Sequence, residues 1–307
     1  MKRLLALATI TFLLGCGTST TLRSEPERPE PIPQPASSVS FVPLEPLATS
    51  DQKIFQSITA EAIKQNWHDR SLGEITQAIA EQFLGTPYAE GLLDRSSNET
   101  LFTSLREFDC ILFVETVLAM ARGIVANDYS ADTFTRNLQQ QRYENGEING
   151  YCSRLHYFSY WIEENQRRGI VKDITKDLGG ISLNKPLNFM SANWKNYPQL
   201  VASEKEYQCI RQMEARLNAT AVNYIPTNQI RNQYSQLRSG DILAIATRTP
   251  GLDVTHTGFV YRSTNGEVGI IHAAPGRGVK ISPDLEMYLN RVKDAIGVMV
   301  ARPIKQF

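Results

Sequence analysis

Apolar residues at helical spacing open the patterned part of the chain. Ile54, Ile58, Ala62 and Ile63, then Ile75, Ile79, Ala80 and Phe83, predict helix through residues 51–84. Gly85-Thr86-Pro87-Tyr88 ends it. A second run, Cys110 to Gly123, is apolar nearly all round, which predicts a helix buried on every side. Asp109 is placed to cap its start and Gly123 to stop it. Phe108 and Phe113 occupy the N′ and N4 positions of a hydrophobic staple. Residues 151–169 predict a further helix ending at Gly169, with Leu155, Phe158 and Ile162 as its stripe and Arg154 and His156 elsewhere on its circumference. Residues 174–200 read as a long irregular segment, followed by a helix near 202–217 and a short element at Tyr224-Ile225-Pro226-Thr227.

From Leu237 the pattern turns to β-formers. Strands are expected at Asp241–Thr247, Thr255–Tyr261, Val268–Ala273, Val279–Ser282 and Gly297–Arg302. Ser263-Thr264-Asn265-Gly266 between the second and third predicts a hairpin, with Asn-Gly as its strongest element. Helices first and an antiparallel sheet afterwards make an α+β protein.

The first residues set the compartment. A basic start, Met1-Lys2-Arg3, precedes a mostly apolar stretch from Leu4 to Leu14 that is too short to span a bilayer. Leu13-Leu14-Gly15-Cys16 matches a bacterial lipobox, so residues 1–15 are expected to be a signal peptide and Cys16 the lipidated N-terminus. Gly17 in place of Asp directs an enterobacterial-type lipoprotein to the periplasmic face of the outer membrane. Residues 16–50 are rich in Ser, Thr, Pro and Glu and predict a disordered tether with an upper reach on the order of 100 Å, at roughly 3.1 Å per residue. Residues 51–307 are then one folded domain. The 32 basic and 32 acidic side chains balance, which argues against a nucleic-acid partner.

Candidate chemistry lies on three side chains. Cys110, in the first turn of a buried helix, would feel the macrodipole and unsatisfied N–H groups, both of which favour thiolate. His256 and His272 fall on the two strands of the hairpin and can share one face. One imidazole could serve as base to the thiol while the other orients it. The same set could hold zinc, but there is no His-Glu-x-x-His motif and no close cysteine pair, so neither metal nor cofactor is expected. A buried cysteine with two satisfied strand histidines is the structural alternative. Cys152 and Cys209 are compatible with either a disulfide or two buried thiols. Glu115 is five residues past the cysteine, off its face, and reads as structural. Pro275-Gly276-Arg277-Gly278 lacks the Lys-Ser/Thr of a P-loop and reads as a strand connection.

The sequence resembles the N-acetylmuramoyl-L-alanine amidase-like lipoproteins within the NlpC-type papain-like cell-wall hydrolases. The residues that carry the resemblance are Phe83-Leu84-Gly85-Thr86-Pro87-Tyr88, Phe108-Asp109-Cys110, Ser153-Arg154-Leu155-His156-Tyr157-Phe158, Gly240-Asp241-Ile242, His256-Thr257-Gly258 and Ile271-His272-Ala273, in order over most of residues 75–305. It implies a papain-like fold, with the nucleophile helix packed on an antiparallel sheet and helical N-terminal and middle additions. It implies cleavage of the amide between N-acetylmuramic acid and L-alanine in peptidoglycan or muropeptides, with Cys110, His256 and His272 catalytic. Tyr88, Asp109, Arg154 and His156 become candidates for substrate contact. A stem-peptide endopeptidase cutting after D-glutamate and a non-catalytic wall-binding lipoprotein stay open.

Overall fold

The computed structural model describes residues 47–305, and the lipobox, Cys16 and most of the tether lie outside them. The chain begins with two helices, α1 (Thr49–Lys64) and α2 (Leu72–Gln82), where the apolar spacing alone predicts one run. The break is at Asn66, in the left-handed region at φ 50°, which turns the chain so that Trp67 is buried. Ser71 and Glu74 then form a capping box that restarts the helix.

Helix α3 (Cys110–Val125) is almost wholly buried. Its staple is present, with the Phe108 and Phe113 rings edge to face at 5.7 Å. Gly123 does not stop it. A Cβ there would lie 2.8 Å from Asp128 O, so this glycine admits the returning chain, and the left-handed residue that ends the turn is Asn127. The return leads into α4 (Ala131–Arg142), which the sequence reading does not include; Ser130 caps it and Phe134 and Leu138 bury against the core. Helix α5 (Phe158–Arg167) follows, then β1 (Val171–Asp173), β2 (Ile181–Ser182), α6 (Phe189–Ala192), α7 (Pro198–Ala202) and α8 (Glu204–Leu217).

The remaining elements are β3 (Asn223–Pro226), β4 (Ile242–Thr247), β5 (Val254–Arg262), β6 (Val268–Ala274), β7 (Gly278–Ser282), α9 (Leu285–Leu289) and β8 (Ala295–Pro303). They complete an antiparallel sheet in the order β2-β3-β8-β4-β5-β6-β7, with β1 also paired to β8. Strand β4 is buried along its whole length because both faces of the sheet are covered. One face, with Phe259, Ile271 and Ala273, packs on α2 and α3; the other, with Val260, Ile270 and Val298, packs under Leu285 and Leu289 of α9. The fold is thus α+β with α3 laid on β5 and β6.

Inside the helical layer Glu115 is 1% exposed and bonded to Arg142 Nε at 2.6 Å, while Trp161 Nε1 donates to its other oxygen at 3.2 Å. That joins α3, α4 and α5 through one carboxylate. Removing one partner of such a pair strands the other charge, so Glu115→Ala should lower unfolding stability by about 3–5 kcal/mol in denaturant titration. Lys172→Ala, at an exposed pair 3.0 Å from Asp177, should cost less than about 1 kcal/mol.

Candidate active site

The start of α3 is built around its cap. Asp109 is extended, and its Oδ1 accepts the Leu112 N–H at 2.7 Å. The cap's donor is the Leu112 N–H, so the Cys110 N–H lies outside it. Tyr88 is laid alongside by two backbone bonds: Phe108 N–H donates to Pro87 O and Ala89 N–H to Phe108 O, each at 3.0 Å. Cys110 is half-buried and is the free cysteine among the described residues. Its carbonyl accepts the Thr257 hydroxyl at 2.9 Å, so the nucleophile candidate meets β5 one residue from His256.

The expected thiolate bias is not found. Burial, and then the Asp109 carboxylate, push the Cys110 thiol up to about 11, against the pull of the Thr257 N–H and hydroxyl. Desolvation outweighs the helix start here. The Tyr88 phenol is also raised, by burial and then by the neighbouring Cys110 charge.

The hairpin brings the histidines together. The β5–β6 register, Phe259 opposite Ile271, sets Gly258 beside His272, where a Cβ would stand 2.9 Å from the His272 Cβ. The absent side chain gives room for His256 Nε2 to approach His272 Nδ1 at 2.7 Å, ring edge to ring face. His272 Nε2 lies 3.3 Å from Ser282 Oγ on β7. With the proton on His256 Nε2, His272 Nδ1 accepts, His272 Nε2–H donates to Ser282, and His256 Nδ1 keeps a bare lone pair. Burial holds His256 down at about 4 and His272 at about 3, so both rings are neutral near pH 7.

Tyr288 on α9 was not a sequence candidate. Its ring is 4.8 Å from that of His272 and its hydroxyl 3.5 Å from His272 Nδ1. Burial, and then Cys110, raise its phenol, so it lies within electrostatic reach of the thiol as well. Nothing in its sequence context, a short helix after Pro283-Asp284, marks it out.

Arg154 and His156 are not on a helix. Residues 151–153 form a single 3-10 turn, and the chain is extended at Arg154, where Leu155 N–H donates to Arg142 O at 2.9 Å. The helix starts only at Phe158, because that backbone pairing competes with helical bonding over the first turn. Arg154 binds Asp94 at 2.6 Å and lies over the Tyr151 ring. His156 Nε2 donates to Tyr151 O at 2.8 Å, and burial holds the ring neutral, at about 3. Both line a cavity of about 260 Å³ together with Asp109, Ile111 and Arg142. Arg142 Nη2 is buried without a hydrogen-bond partner, and Arg154 Nε stands 3.5 Å from Glu99 Oε1 in an ion pair. A second cavity, about 670 Å³, is bordered by Thr255, His256, His272 and Tyr288. The neighbours of Cys110 thus face one cavity and the histidines the other.

Cys152 and Cys209 form a disulfide with Cα atoms 6.1 Å apart, which ties the segment carrying Arg154 and His156 to α8. Among the described residues, no three His, Cys, Asp or Glu side chains are grouped to hold a metal ion.

A family model described as N-acetylmuramoyl-L-alanine amidase-like matches residues 78–296. The chain is similar to an N-acetylmuramoyl-L-alanine amidase from Bacteroides uniformis, with 31% identity, a TM-score of 0.71, and coverage of 76% of this chain and 99% of that one. It is also similar to a provisionally named xylanase from Bacteroides fragilis, at 33% identity and TM-score 0.68 over 73% of this chain and 99% of that one. A Legionella pneumophila protein at 22% identity shares the fold, with TM-score 0.64 over 83% and 94% of the two chains. No curated protein matches.

Because Asp109 helps to raise the thiol, Asp109→Asn should keep the helix cap and lower the Cys110 pKa. The expected readout is faster alkylation of Cys110 by iodoacetamide at pH 8 than in the parent chain. An equal or slower rate would show that the carboxylate has no hold on the sulfur.

Proposed function

Because the chain belongs to the N-acetylmuramoyl-L-alanine amidase-like family, we propose that it hydrolyses the amide between N-acetylmuramic acid and L-alanine by cysteine chemistry. The observation that carries this reading is the contact of Cys110 with Thr257, next to a His256 that is itself bonded to His272. The arrangement supports a papain-like, NlpC-type assignment, in which one imidazole serves the thiol and a second polar group fixes its tautomer.

In this mechanism His256 is a neutral base. Its Nε2–H stays hydrogen-bonded to His272 Nδ1, and its Nδ1 takes the Cys110 proton as sulfur attacks the lactyl carbonyl carbon. The tetrahedral oxyanion is received by the Cys110 N–H that the cap leaves over, with the Tyr88 hydroxyl as second donor. His256 returns the proton to the L-alanine nitrogen as the C–N bond breaks, leaving a thioester. Water, deprotonated by His256, then hydrolyses the thioester and regenerates the thiol. A thiol held protonated and an imidazole held neutral suit proton transfer at the moment of attack rather than a resting ion pair. The 260 Å³ cavity beside Asp109, lined by Arg142 with its unpartnered Nη2, suits the acceptor oxygens of the sugar and its N-acetyl group. On the same reading Cys16 carries the lipid, the tether runs from there towards the start of α1 at Thr49, and the enzyme works at the periplasmic face of the outer membrane in a Gram-negative host.

Incubation of the purified protein with defined muropeptides, followed by mass analysis, should release free stem peptide beginning with L-alanine. Cys110→Ala should abolish it. Shortened muramoyl-dipeptide would instead make the chain an endopeptidase, and no product from a chain with alkylatable Cys110 would make it a binder. Protonated His256 cannot accept the thiol proton, so kcat/KM should hold from pH 7 to about 5 and fall on an acid limb near 4. An acid limb at or above 6.5 would refute a base kept neutral by burial.

A further inference from the structure

We propose that the larger cavity beside the histidines seats the free carboxylates of the stem peptide, so that substrate lies with its sugar on the Asp109 side and its peptide on the Tyr288 side. This rests on the amidase reading above. The cavity is about 670 Å³, enough for a short peptide, and opens directly on His256 and His272. Four cations border it: Arg277 in the β6–β7 turn, Lys280 on β7, and Arg291 and Lys293 in the chain between α9 and β8. Among the described residues, no carboxylate lies within ion-pair distance of any of the four. The one acid on the rim, Asp284, is occupied: Arg231 Nη2 holds both its oxygens, at 3.0 and 2.8 Å, and the Met287 N–H binds it at 2.8 Å. The chain as a whole is formally neutral, so this is a local excess and not general basicity.

The smaller cavity has the opposite character. Its arginines are already paired, Arg142 with Glu115 and Arg154 with Asp94, each at 2.6 Å. Paired cations with residual N–H donors suit neutral acceptors, whereas unpaired cations attract net negative charge. The two halves of the substrate differ in the same sense. The sugar side of the scissile amide offers hydroxyls and an acetamide. The leaving side is a peptide linked through the side-chain carboxylate of D-glutamate, so it keeps the α-carboxylate of that residue and those further along. The side bearing the proton donor to the leaving amine is also the side bearing the cations, which places the departing peptide where its charges are compensated.

The test uses the full chain and two substrates: muramoyl-tripeptide with free carboxylates, and the same compound with those carboxylates amidated. The double variant Arg277→Glu, Arg291→Glu touches neither Cys110 nor the histidines. At low ionic strength it should lower kcat/KM for the free-acid substrate by about tenfold or more, through KM, and leave the amidated substrate unchanged. Added salt should shrink the difference. An equal effect on both substrates, or none on either, overturns the proposal. Calorimetry of the free stem tripeptide separates it from the amidase reading. Salt-dependent binding that the double variant loses supports the anionic seat even in a chain without turnover, and absence of binding by an active chain overturns it.

Discussion

Glu115 and Arg142 face each other inside the helical layer almost without water, and the surrounding groups satisfy the carboxylate and all but Nη2 of the guanidinium. Trp161 donates to the carboxylate, Arg142 Nη1 donates to Phe102 O at 2.6 Å, and the Gln141 side chain holds the Glu115 carbonyl. Asn165 in turn donates to Gln141 O and Trp161 O. A buried charge pair is weak evidence of net stability, but its geometry is exacting. Here it fixes the rotation of α3 relative to α4 and α5. The phase of α3 decides where Cys110 meets β5, and Arg142 also lines the cavity beside Asp109. One carboxylate thus links the packing of the three helices to a wall of the cavity beside Asp109.

Burial has the same sign of effect throughout the site: it disfavours charge. It raises the thiol and lowers both imidazoles, so the resting centre is neutral. In the proposed mechanism charge then develops only during reaction, in a place where fixed donors such as the Cys110 N–H need no reorganisation to meet it. The helix start, expected from the sequence to favour thiolate, is outweighed by burial and the Asp109 carboxylate, which raise the thiol instead.

What the sequence disclosed was local. The Asp109 cap, the Phe108–Phe113 staple, the Asn-Gly hairpin and the five C-terminal strands follow from side-chain spacing, and the structure has them within a residue or two. Errors arose where tertiary contacts override propensity. Gly123 looked like a stop and is a close-approach glycine. The helix through residue 155 is replaced by pairing with Arg142, and the run through residue 66 is broken to bury Trp67. Helix α4 has little apolar weight beyond Phe134 and Leu138, so its polar sequence hid it. Within the site, the histidine pair was legible from β-alternation. Tyr288 and Ser282 were not, since each joins only through pairing or packing between separate segments of chain.

The Cys152–Cys209 bond fastens one wall of the cavity beside Asp109 and leaves the thiol and imidazoles untouched. The proposed catalytic groups are thus assembled by non-covalent packing, while a wall of the neighbouring cavity is fastened by an oxidation. For a wall hydrolase this separates two moments of maturation. In the reducing interior, where wall precursors are made, the chain would possess its reactive centre but an unfastened cleft, and only past the membrane would the cleft lock. On the proposed export, the bond would serve as a covalent record of place, a safeguard written into the polypeptide independently of any lipid or signal.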